Sequence, residues 1–120
     1  MGEDAMGTLT LLRQRALGGF ALKYHCFFGR DRETFLRGLE QTPMEKRQQI
    51  PSDCTLKNGE RVHVSLDDQG ISFFVAVYLE SRTIVTPLIT VPPRDSDYTI
   101  VTDFDKYRGL SVQIVSGLQE

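Results

Sequence analysis

Six aspartates sit in three turns of this chain: Asp67 and Asp68, Asp95 and Asp97, and Asp103 and Asp105. Carboxylates are hard oxygen donors. If the three turns gathered at one end of a sheet, they would suit a hard cation such as calcium or a basic protein partner. Asp95-Ser96-Asp97 begins like a calcium loop, but the glycine and distal glutamate that complete one are missing. The plainer reading is turn chemistry, since aspartate side chains accept hydrogen bonds from nearby backbone and keep loops hydrated. The pattern leaves the six carboxylates as a candidate acidic partner surface and assigns no metal or other cofactor.

Other chemistries have weaker support. His25 and His63 lack Cys, His or Glu neighbours at ligand spacing, and they could share a zinc only if their strands were adjacent. His25 and Cys26 are consecutive, so on a strand they point to opposite faces and cannot pair as base and nucleophile. Cys54 lies in a Ser52-Asp53-Cys54-Thr55 turn with no identifiable base. No phosphate-cradling glycine motif and no nucleophile elbow occurs, and the expectation is a protein that is not an enzyme. A basic helical face carrying Arg30, Arg37 and Arg47 could touch phosphate. Glu33, Glu40 and Glu45 balance it, so nucleic acid is not an expected partner.

The sharpest clue is apolar. In Ile71 to Leu79, Ile71, Phe73, Val75, Val77 and Leu79 take one face of a strand, with Phe74, Ala76 and Tyr78 on the other. A strand apolar on both faces is a central one, covered on each side. Helices can cover one side. The other needs a second layer, a bound ligand or another copy of the chain, and the pocket or interface reading makes Phe73, Phe74, Ala76, Tyr78 and Tyr98 the candidate ligand or interface residues.

The elements that would position these groups follow from turn signals. Thr8 to Leu17 has apolar residues at 9, 11, 12, 16 and 17, which fit a short helix stopped by Gly18-Gly19. Phe20 to Phe28 alternates as a strand. Asp31 caps a helix over Arg32 to Gln41, and Thr42-Pro43-Met44-Glu45 starts a second that Pro51 closes. Strands follow at Arg61 to Leu66, Ile71 to Leu79 and Thr83 to Val91, the last marked as an edge or a bulge by Pro87. Tyr98 to Phe104 and Leu110 to Val115 form a hairpin.

Composition bounds the class. The chain has 120 residues, 40% hydrophobic and 25% charged, with a formal charge of −2, so no strong field recruits polyanions. No apolar run reaches a membrane span and the first residues carry no secretory signal, which sets cytoplasmic placement as the expectation. Cys26 and Cys54 then read as two free thiols.

Thr102-Asp103-Phe104 with Tyr107 resembles the strand-turn-strand segment of lipocalins, a match of ten residues from Tyr98 to Tyr107. The resemblance implies at most a curved sheet around an apolar ligand. The chain lacks the tryptophan of that family's first signature, and thirteen residues after Tyr107 are too few for its last strand and helix.

The expected molecule is a single domain over residues 1–120 with a flexible tail at 1–7. Its fold class is α+β: a mainly antiparallel sheet of five to six strands, with two short helices inserted after the first strand. The expected function is a non-catalytic protein-interaction module, of inhibitor, immunity or adaptor type, binding a basic protein and forming a homodimer. The alternative is a small-molecule binder with an apolar pocket on the sheet face, and a small enzyme with no linear motif trails as a third reading.

Overall fold

The computed structural model describes residues 7–17 and 21–119. It is a mixed α+β fold, mostly sheet and mostly antiparallel. Among the described residues, nine strands are divided between two sheets that pack face to face.

The first sheet contains β1 (Thr8–Arg13), β4 (Arg61–Ser65), β8 (Ser96–Asp105) and β9 (Gly109–Ser116), in the order β4-β1-β8-β9. The second contains β2 (Tyr24–Phe28), β3 (Cys54–Leu56), β5 (Ile71–Tyr78), β6 (Thr83–Val85) and β7 (Ile89–Val91). Its order is β3-β2-β5-β6, with β7 also paired to β5. Pro87 breaks β6 from β7 where a ladder donor is missing, as the edge reading of that segment requires.

The strand count and the second layer correct the expectation of one sheet of five to six strands. Thr8–Arg13 is a strand rather than a helix, and it sits centrally between β4 and β8. Leu9 and Leu11 alternate into the core, and the pairing available on both edges outweighs a helical spacing only ten residues long. Its pairing with β8 is parallel and joins the two ends of the chain. The Gly18-Gly19 stop, Phe20 and residues 1–6 of the expected tail lie outside the described residues.

The face-to-face core joins Leu9, Leu11, Leu66, Ile100 and Leu110 of the first layer to Tyr24, Cys26, Phe73, Val75 and Val77 of the second. Tyr24 hydroxyl and Thr102 hydroxyl hydrogen-bond across the layers. Arg13 is also buried there. Its guanidinium lies 3.7 Å over the Tyr24 ring and donates to the Leu22 and Leu56 carbonyls at 2.5 and 2.8 Å.

A second, smaller apolar layer lies on the outer side of β2 and β5. Helix α1 (Arg32–Glu40) and the 3-10 helix Met44–Gln49 supply it. Asp31 accepts from the Thr34 amide and hydroxyl at 3.2 and 2.6 Å, a working N-cap. The second start signal does not form its box. Thr42 hydroxyl donates back to the Gly38 carbonyl at 2.8 Å, and the helix that follows is 3-10 without a side-chain cap. Leu39, Phe35, Leu36 and Ile50 pack from this layer onto Phe27, Phe74, Ala76 and Tyr78.

Turn geometry fixes one glycine. Gly70, between β4 and β5, has φ +75, and a Cβ there would lie 2.1 Å from the Val91 carbonyl oxygen.

Candidate functional site

The five candidate apolar residues do not form one site. Phe73 lies in the inter-sheet core, where its ring meets Tyr98 edge-on at 5.6 Å. Phe74 and Ala76 face the helical layer and are fully buried, with Phe74 stacked on Phe27 at 5.1 Å and tilted against Phe35 at 5.2 Å. The face expected to await a ligand or a second copy is therefore covered by the chain's own helices, and the opposite face by the chain's own second sheet. Tyr98 borders a separate cleft of about 360 Å³ beside Asp95 and Asp97.

Tyr78 opens onto a larger groove. Two clefts of about 610 and 220 Å³ share Leu22, Gln48 and Tyr78 and run together between the start of β2, the 3-10 helix and the end of β5. Leu22, Met44 and Leu79 give the groove apolar walls. Lys23 and His25 stand at one end, and Glu45 and Glu80 at the other.

The groove floor carries its chemistry. The Tyr78 hydroxyl is buried and has no hydrogen-bond partner among the described residues, and burial pushes its pKa up to about 12. It is a neutral group able to donate and accept. His25 packs against the same ring with centroids 4.9 Å apart. Desolvation, helped by Lys23, holds the imidazole below its ordinary pKa and so favours its neutral form near neutrality. His25 Nδ1 and Ser52 Oγ are 3.5 Å apart, longer than the contact of an activated nucleophile, and Ser52 does not line the groove.

The chain matches no family model, no curated protein and no solved structure.

The remaining candidates are dispersed. Strand β8 is ten residues long and separates the aspartates: Asp95 and Asp97 begin it, while Asp103 and Asp105 end it. The register Thr8 with Ser65 and Leu9 with Ser96 brings Asp67 and Asp68 to the Asp95 end. Four carboxylates thus share one end rather than six. Several serve turns, with Asp67 accepting from the Gln69 amide at 2.8 Å and Asp105 from the Tyr107 amide at 2.7 Å. Asp95 accepts from the Thr8 amide at 2.9 Å. Among the described residues no group of three or more His, Cys, Asp or Glu is placed to hold a metal ion.

His63 is hydrogen-bonded to Thr10 at 3.1 Å on the first sheet, whereas His25 belongs to the second. The two cannot share a zinc.

The basic face also dissolves. Arg30 makes a two-point contact with Asp53 at 3.0 and 3.1 Å, which holds the Asp53 carboxyl below its usual range. Arg47 donates to the Leu39 carbonyl and the Thr83 hydroxyl at 2.8 and 2.9 Å. Arg32 donates to the Thr86 and Val85 carbonyls at 2.7 and 3.3 Å. Arg32 and Arg47 therefore fasten the helical layer to the outer edge of β6.

Sequence reasoning missed Leu22, Lys23, Met44, Gln48 and Glu80 as groove residues. No periodicity marks them, because the wall is assembled from a loop, a 3-10 turn and a strand end. The one available signal was Tyr78, a phenol at the end of a strand otherwise apolar on that face. Among the described residues, no helix is long and apolar enough to cross a membrane.

Proposed function

We propose that this protein is a non-catalytic binding protein whose groove over Tyr78 takes a small amphiphilic molecule. The observation that carries the reading is Tyr78, which lines a groove of ligand size and whose buried hydroxyl has no hydrogen-bond partner among the described residues. A buried hydroxyl without a partner costs roughly 1–3 kcal/mol, which a ligand hydrogen bond would recover. Charge sets the polarity of the occupant. A carboxylate suits the Lys23 end, an ammonium suits Glu45 and Glu80, and an apolar body suits Leu22, Met44 and Leu79. A hydrophobic amino acid or a short peptide has this chemistry.

Thermal-shift titration with such zwitterions, on wild type and Tyr78→Phe, tests it. The wild type should melt higher with ligand, as mass action requires. Tyr78→Phe should keep or gain stability when empty and bind about five- to tenfold more weakly, the worth of one hydrogen bond. Equal affinity in the two proteins, or no shift with any zwitterion, would end the reading.

The grouping of Asp67, Asp68, Asp95 and Asp97 at one end favours a second reading, a module that binds a basic protein. Asp68→Lys with Asp97→Lys should weaken a salt-sensitive complex with a basic partner. Capture of the same partner by the reversed protein at unchanged strength would exclude it.

A further inference from the structure

Cys26 and Cys54 stand directly opposite each other on the antiparallel strands β2 and β3. Cys26 belongs to the inter-sheet core and Cys54 packs against it. Opposed residues of an antiparallel pair hold their Cα atoms roughly 4.5–5.5 Å apart, inside the span of about 4.4–6.8 Å that a disulfide bridges.

The two thiols differ in access. Cys26 is fully buried, whereas Cys54 is only partly buried and lies on the three-residue edge strand of its sheet. Acidity divides the same way. The neighbouring Cys26 thiol draws Cys54 below its ordinary range, while Cys54 together with burial pushes Cys26 well up. The more exposed sulfur is thus the better nucleophile, and the second sulfur waits beside it.

We propose that Cys26 and Cys54 form a redox-active pair, in which a peroxide oxidises Cys54 and Cys26 then resolves it to a reversible disulfide. The Cys54 thiolate attacks one peroxide oxygen, the O–O bond breaks and water leaves, giving a sulfenic acid. The Cys26 sulfur attacks the Cys54 sulfur, the S–S bond forms, the S–O bond breaks and a second water carries off the remaining proton. Two thiols and one hydrogen peroxide become one disulfide and two waters. A dithiol reductant reverses the step by exchange. The bond closes the chain segment that carries α1 and the 3-10 helix, including Met44, Glu45 and Gln48 of the groove wall. The pairing stands on strand register alone and is independent of what the groove binds.

The test treats the folded protein with hydrogen peroxide, alkylates the remaining thiols and reads intact mass and non-reduced peptide maps. The expected product has lost the mass of two hydrogens, takes up no alkylating agent and yields a peptide pair joined through Cys26 and Cys54. Dithiothreitol should restore both thiols, and the oxidised form should melt higher than the reduced one. In Cys54→Ser, the buried Cys26 should resist the same treatment. Two alkylatable thiols after oxidation, Cys54 halted at oxygenated acids, or linkage only between separate chains would overturn the proposal.

Discussion

Phe74→Ala should cost about 3–5 kcal/mol of folding stability, a large share of the roughly 5–15 kcal/mol available to a domain. Phe74 is fully buried between Phe27 and Phe35, so truncation opens a cavity where strand β5 meets α1. Chemical denaturation read by circular dichroism measures it. Phe104→Ala is the matched control. That ring is 61% exposed near the end of β8, and its removal should change stability by no more than about 0.5 kcal/mol. A loss below about 1 kcal/mol at Phe74 would show that the helical layer does not hold this face closed, and would reopen it as a pocket or interface.

Arg13→Ala should be nearly as damaging, at about 3–5 kcal/mol. Arg13 starts on the first sheet and reaches the Leu22 and Leu56 carbonyls of the second layer across the Tyr24 ring. Removing it leaves two carbonyls without a strong donor and a void between the sheets. Arg13→Met separates the causes, because methionine fills much of the volume and donates nothing. If the hydrogen bonds matter, Arg13→Met recovers only part of the loss. Full recovery would assign the residue to packing alone.

Both residues show where the sequence could be read and where it could not. The double-sided apolar pattern of β5 correctly demanded cover on both faces. Nothing local said that one cover would be a second sheet, because that sheet is built from strands at both ends of the chain. Thr8–Arg13 was misread because Leu9, Leu11 and Leu12 satisfy helical and strand periods equally over so short a run. Arg13 carries no local sign of burial, yet it points inward with Leu9 and Leu11. The β8–β9 hairpin and the Asp31 cap were legible because their signals are local: alternation around a turn, and a carboxylate three residues before an amide. The groove was not, since its lining residues meet only once the layers have stacked.

The parallel pairing of β1 with β8 has a consequence for the order in which the molecule is built. Sheet two spans Tyr24 to Val91 and can pair as soon as that stretch has left the ribosome. Sheet one cannot, because its central strand β1 precedes the whole of the second sheet and its partner β8 follows it. Until then Leu9 and Leu11 have only β4 beside them, and the inner face of the second sheet, with Phe73, Val75 and Val77, lies open. Closing so long a loop is slow. The nascent protein therefore carries an uncovered apolar sheet from the emergence of β5 until β8 and β9 have followed, and that interval is when it is most exposed to aggregation.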